Sequence, residues 1–228
     1  CFFTDPESGA DMFIEEVRRH NEIKDHLAPH VKTTVDEIGT MLPGEVFDPL
    51  YWCASAAYNV YLYLTLMKEN IEVIGWSQLT AYPTISELGL EARDPSVAML
   101  NYSTGEGNAR YQTLKLMIEY TGVGDRLVET VSSDASNVYA QGFLHSDQHE
   151  EVKTIVLLNK NVEAQRVKLS LYPKKGVEKY HDMQCETFSV DEESGDGKPR
   201  QGTWDGTEMV RLNPFAVMVV RCGGGMGV

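Results

Sequence analysis

The feature that most constrains this chain is a change of texture near residue 125. Before it, helix-period and strand-period stretches alternate; after it, short β-branched runs follow one another between polar turns. Alternating elements pack as parallel strands covered by helices, whereas regularly spaced short strands pack as an antiparallel β-sandwich. The expected fold is therefore α/β plus all-β, with domains at residues 1–124 and 125–228.

Asp5-Pro6-Glu7 offers a helix start, because proline is pre-set for the first helical position. Phe13, Val17, His20, Ile23 and Leu27 then recur at helical spacing, which predicts an amphipathic helix ended by Pro29 with His20 buried on its apolar side. Val31 to Ile38 is a β-branched run with Val31, Thr33, Val35 and Glu37 on one side of the pleat. Asp48-Pro49 opens a second helix to about Asn70, apolar around much of its circumference and so buried. Ile71 to Leu79 follows as a second strand, and the order implies two parallel strands. Thr80 to Gly107 is too long for a plain connection, which points to a functional loop, and Asn108 to Tyr120 is a third helix. Beyond Asp125 the strands fall at Arg126 to Val131, Val138 to His145, Val152 to Asn159, Glu163 to Leu171, Val177 to Val190, Met209 to Leu212 and Ala216 to Cys222. The acidic, glycine-rich stretch Asp191 to Gly206 reads as a solvated hairpin loop.

Composition narrows the function classes. The 228 residues are 42% hydrophobic and carry 20 Lys and Arg against 34 Asp and Glu, a formal net charge of −14. That hydrophobic share excludes disorder, and an acidic surface has the wrong sign for phosphate backbones, so nucleic acid is not an expected partner. Apolar stretches are interrupted by Asn59, Lys68 and Arg221 before reaching the roughly 18 residues a membrane span needs. Asn101-Tyr102-Ser103 is an acceptor sequon for N-glycosylation at Asn101 in a secretory compartment. The chain begins at Cys1, without Met or a signal peptide and in the middle of a structural pattern, which gives the expectation of a fragment or a processed subunit.

Glu37 stands first among residues with chemistry to offer. It lies at the carboxyl end of a candidate parallel strand, where barrel enzymes place catalytic groups, and a carboxylate there serves as nucleophile or as acid/base. The alternative for Glu37 is a strand-end ion pair. Trp76 and Gln78 stand at the corresponding end of the next strand as an i, i+2 pair, where an indole face can floor a sugar site or simply pack beneath the loop. Tyr82 and Tyr102 in the long loop are candidates for the rim of a cleft. His145, Asp147 and His149 form a poor chelating set in a predicted turn with no fourth ligand, so no metal is expected. GxSxG, P-loop and GxGxxG motifs do not occur.

The runs VKTTVDEIGTMLP, IEVIGWSQL, NYSTGEGNARYQTLKLMIEYTGVGDRLVET and the closing LNPFAVMVVR, in this order, resemble the carboxyl-terminal half of a clan A retaining glycoside hydrolase. The resemblance implies the last part of a (β/α)8 TIM barrel followed by an antiparallel β-sandwich. It makes Val31 to Ile38 the seventh barrel strand with Glu37 as nucleophile, and Ile71 to Leu79 the eighth, with Trp76 lining the sugar subsite. The candidate substrate-binding residues are then Trp76 with Gln78 and Tyr82, the last two from their places at the strand end and in the loop. The family's acid/base glutamate, which follows Asn at the end of the fourth strand, falls upstream of Cys1. Its partner chain or missing segment would complete the barrel, its substrate is a polysaccharide or glycoconjugate, and no cofactor is implied because paired carboxylates need none.

Two functions follow from that reading: a secreted or lysosomal glycosidase, or a non-catalytic carbohydrate-binding or structural glycoprotein on the same scaffold. Cysteine positions suggest Cys185 with Cys222 within the late strands and Cys1 with Cys53 at the amino-terminal side.

Overall fold

The computed structural model describes residues 3, 9–40, 49–80, 98–101, 104–146, 151–171, 184–194 and 198–223. The chain divides into two compact units, Cys1–Tyr111 and Gln112–Val228.

In the first unit, helix α1 spans Ala10–Leu27, with Asp11 in its first turn and Lys24 and His26 in its last, the charge order the helix dipole favours. The amide of Ala28 closes on the Lys24 carbonyl at 2.7 Å and Pro29 prevents a further turn. Strand β1 (Thr33–Ile38) follows, then helix α2 (Pro49–Leu66), a 3₁₀ turn at Met67–Glu69 and strand β2 (Ile71–Trp76). Asn70 ends the turn with φ 57°, a left-handed conformation that asparagine tolerates at helix ends. β1 and β2 pair in parallel, Thr33 opposite Ile71 and Val35 opposite Ile74. α2 is buried on most sides through Ala54, Ala57, Val60, Leu64 and Leu66. Its Tyr61 hydroxyl donates to Asp11 at 2.6 Å, which docks α1 against it.

The predicted stripe of α1 is corrected. Ala10, Ile14 and Val17 are its buried residues, whereas Ile23 is 50% and Leu27 75% exposed. His20 is exposed too, its Nδ1 2.7 Å from the Glu16 carbonyl oxygen. In the second half of the helix the contacts are polar, Asn21 Nδ2 donating to the Glu69 carbonyl at 2.8 Å, and the side chains of Ile23 and Leu27 are exposed among the described residues.

Helix α3 (Ala109–Tyr120) crosses from the first unit into the second. The second unit then adds β3 (Arg126–Val128), β4 (Val138–Ser146), β5 (Glu151–Asn159), β6 (Gln165–Val167), β7 (Cys185–Val190), β8 (Arg200–Trp204), β9 (Val210–Leu212) and β10 (Val217–Cys222). Six strands form one antiparallel sheet in the order β3-β4-β5-β10-β7-β8, and β6 pairs with β9 in a second. Leu157, Leu212, Ala216 and Val220, all fully buried, share one core with Val138, Trp204 and Val210. Residues of both sheets thus meet in it. Tyr120 at the end of α3 stacks on Phe188 of β7, ring centroids 4.6 Å apart.

Cys185 and Cys222 face each other across β7 and β10 and form a disulfide, Cα atoms 4.4 Å apart. Cys53 is buried on α2, and Cys1, its expected partner, lies outside the described residues.

Asp191 to Gly206 departs from the expected loop. Ser189 to Cys185 pair with Arg200 to Trp204, so most of the return arm of the hairpin is strand β8. Arg200, Gln201, Gly202 and Thr203 are exposed and only Trp204 is buried, which is why an edge strand reads as loop in the sequence. Within the predicted run Val177 to Val190, strand is described from Cys185 onward.

Candidate active site

The candidate site lies at the carboxyl ends of the two parallel strands. The register runs Val35 opposite Ile74 and then Ile38 opposite Trp76, three steps against two, so β1 bulges at Asp36 and Glu37. Val35 and Ile38 are both buried while Asp36 and Glu37 are both exposed. Simple alternation, which put Glu37 on the same side as Val35, fails here because the extra residue breaks the pleat. Gly75 permits the bulge: a Cβ on it would stand 1.9 Å from the Asp36 carbonyl oxygen.

The Ser77 hydroxyl donates to Glu37 Oε1 at 2.5 Å. Its backbone amide donates to the Ile38 carbonyl at 2.9 Å, which carries the parallel pairing one step beyond the end of β2. Sequence reasoning missed Ser77, since alternation from Trp76 turns it away from the site and no motif marks it.

Trp76 is half-buried, its ring 6.2 Å from that of Tyr63 on α2. Gln78 is not a pleat partner of Trp76 as expected, because β2 ends at Trp76 and Gln78 takes φ 43°, uncommon for a residue with a Cβ. The carbonyl of Gln78 accepts the Met99 amide at 3.2 Å, and that of Leu79 accepts the Leu100 amide at 2.8 Å. Asn108 holds the same segment, its amide on the Met99 carbonyl at 2.9 Å and its Nδ2 on the Ala98 carbonyl at 2.7 Å. Asn108 Oδ1 also accepts the Arg110 amide at 3.0 Å, capping α3. Residues 78–80 and 98–100 are thereby brought together beside the strand ends.

Arg110, 1% exposed, braces the chain just beyond Glu37. Its Nε donates to Ser55 Oγ at 2.6 Å and its Nη2 to the Thr40 carbonyl at 2.9 Å, while the guanidinium lies 4.9 Å from the centre of the Trp52 ring. Burial lowers its pKa from 12.5 to about 10, so it remains a cation at neutral pH.

Tyr82 and Tyr102 lie outside the described residues. Asn101 is exposed, its Oδ1 accepting the Thr104 amide at 3.0 Å. His145 belongs to β4 and pairs with Asp125 at 2.5 Å, while Asp147 and His149 lie outside the described residues. Among the described residues no group of three or more His, Cys, Asp or Glu is placed to hold a metal ion. No helix among them is long and apolar enough to cross a membrane.

No protein-family model matches the sequence, and no curated protein matches it significantly. Solved structures do match in fold. A β-porphyranase of glycoside hydrolase family 86 from the gut bacterium Bacteroides plebeius superposes with a TM-score of 0.57 at 15% identity, over 96% of this chain and 38% of its own. An arabinofuranosidase gives 0.60 at 14% identity, over 93% of this chain and 47% of its own. A family 30 endoxylanase from Clostridium papyrosolvens gives 0.56 at 12% identity, over 91% and 46%. The fold is glycosidase-like, and the chain spans less than half the length of these structures.

Proposed function

We propose that this chain is part of a retaining glycoside hydrolase acting on a polysaccharide or glycoconjugate, with Glu37 as its nucleophile. The observation that carries the reading is Glu37 itself: a carboxylate at the carboxyl end of a parallel strand, one oxygen hydrogen-bonded to Ser77, in a fold shared with glycosidases. β1 and β2 are then the seventh and eighth strands of a (β/α)8 barrel, and the second unit is a carboxyl-terminal β-sandwich. Position at a strand end makes Glu37 a candidate, and the shared fold makes glycoside chemistry the candidate reaction; the fold alone implies no activity.

A retaining glycosidase needs two carboxyl groups about 5 to 5.5 Å apart, one to attack the anomeric carbon and one to protonate the departing oxygen. Glu37 supplies the first. The second is a carboxylic acid from the remainder of the barrel, carried upstream or on another chain. Half-buried Trp76 is the indole face for a sugar ring, and Gln78 and Tyr82 are the further substrate-binding residues of this reading. The disulfide and the Asn101 sequon favour a secreted or lysosomal protein, since disulfides persist in oxidising compartments.

In the full-length protein, Glu37→Gln is expected to lower turnover of the cleaved glycoside by about 10³-fold or more, the scale on which removing a covalent nucleophile acts. Undiminished turnover would remove Glu37 from the mechanism. Glycan binding without cleavage by the parent protein would instead favour a carbohydrate-binding protein on a glycosidase scaffold.

A further inference from the structure

We propose that Ser77 is a positioning residue for Glu37, fixing which carboxylate oxygen attacks and stabilising the carboxylate when it leaves. The inference rests on the reading of Glu37 as nucleophile.

Three observations converge on Ser77. Its hydroxyl is 2.5 Å from Glu37 Oε1, yet Ser77 is 8% exposed while Glu37 is exposed, so a shielded donor grips one oxygen of a carboxylate that otherwise faces solvent. The Ser77 amide is tied to Ile38, the residue after Glu37, at 2.9 Å. Gly39 makes the approach possible: a Cβ built there would stand 2.8 Å from the Ser77 Cβ. Beyond Gly39, Arg110 holds the Thr40 carbonyl at 2.9 Å, so the backbone leaving Glu37 is fixed from two sides. On a bulge, where no regular pleat sets the direction of Glu37, these bonds replace the ladder as the source of its orientation.

The chemistry gives the bond a different weight in each half of the reaction. In the first half, a lone pair on Glu37 Oε2 forms a bond to the anomeric carbon as the glycosidic C–O bond breaks. The departing oxygen keeps that electron pair and takes a proton from the second carboxylic acid. Oε1, held by Ser77, becomes the carbonyl oxygen of the ester. In the second half, water attacks the anomeric carbon and gives a proton to the second carboxylate. The bond between Glu37 Oε2 and the anomeric carbon breaks as the bond to water forms, its electron pair returning to Glu37. Negative charge reappears on the group to which Ser77 donates, and a hydroxyl bonds a carboxylate more strongly than an ester carbonyl. Loss of Ser77 therefore costs orientation in the first half and leaving-group stabilisation in the second.

The test compares Ser77→Ala with the parent and with Glu37→Gln in the full-length protein, using an aryl glycoside of the cleaved sugar. Ser77→Ala is expected to lower kcat about 10- to 100-fold, the range for a hydrogen bond to a charged group, with KM lowered as the covalent intermediate builds up and thermal stability near parental. Rapid-quench mass spectrometry should find glycosylated Glu37 peptide accumulating in Ser77→Ala above the parental level, which a packing defect would not produce. A kcat within about twofold of the parent, while Glu37→Gln is inactive, overturns the role of Ser77 and leaves the nucleophile standing. So does a loss of activity that tracks a loss of thermal stability with no build-up of glycosylated peptide. Turnover by Glu37→Gln overturns both.

Discussion

The two units solve the problem of burying a sheet in opposite ways. In Gln112–Val228, four of the six strands of the main sheet have neighbours on both sides, and residues of both sheets bury one core in which Leu157, Leu212 and Val220 are fully inaccessible. In Cys1–Tyr111, β1 and β2 pair with each other, and Thr34, Asp36 and Val73 of this parallel pair are exposed, Val73 by 54%. Parallel sheets are ordinarily covered on both faces. The first unit contains the largely buried helix α2 and the hydrogen bonds of Arg110 to Ser55 and Thr40, and it holds the candidate carboxylate Glu37. The second holds the cross-linked core. The candidate carboxylate and the disulfide thus sit in different units.

Three perturbations sharpen that contrast, beginning with the largest. Replacing Cys185 and Cys222 together by Ala removes a cross-link between residues 37 apart in sequence. A loop of that size corresponds to about 4 kcal/mol of unfolded-state entropy. The expected result is a denaturant midpoint that falls for the second unit while near-ultraviolet signals from Trp52 and Trp76 in the first keep their transition; loss of both together would show one cooperative unit. Next, Gly75→Ala places a methyl 1.9 Å from the Asp36 carbonyl oxygen. The backbone must yield, at about 1–3 kcal/mol, and amide exchange should accelerate in β1 and β2 but not in β5 or β10. Unchanged protection of Val35 and Ile74 would show the bulge to be adaptable.

The smallest effect concerns Tyr120, whose pKa is raised to about 12, first by burial and then by Glu119, against a lowering by Arg221. The unfolded chain loses this proton near the ordinary value of 10.0, so between pH 10 and about 12 the unfolded state binds fewer protons and stability falls as pH rises. Tyr120→Phe keeps the stack on Phe188 and should flatten this part of the pH profile in urea titrations. An equal slope in parent and variant would assign it to other groups.

Much of the fold was legible in the sequence because local signals agreed with it. Pro29 and Asn70 stop helices for backbone reasons that need no tertiary partner, and the β-branched run of β1 and the apolar girth of α2 follow from side-chain type. The pairing of Cys185 with Cys222 was readable from two late strands. Other features answered to partners far along the chain. The bulge at Asp36 and Glu37 depends on Gly75 across the sheet, so alternation along β1 alone misplaced Glu37 relative to Val35. His20, Ile23 and Leu27 followed helical spacing but are exposed among the described residues. Strand β8 is polar because it is an edge, and edge polarity looks like loop polarity until β7 supplies the hydrogen bonds.

By itself, then, the sequence determined the order of elements, the change from alternating to all-β texture and the placing of a carboxylate at the end of the first strand. These depend on backbone preference and hydropathy, which act over a few residues. Only the tertiary structure decided that Glu37 sits on a bulge, that Ser77 holds its Oε1, and that Arg110 reaches Thr40 from 70 residues away. A hydrogen bond's geometry is set by where two backbones meet, and no pattern within either segment specifies that meeting.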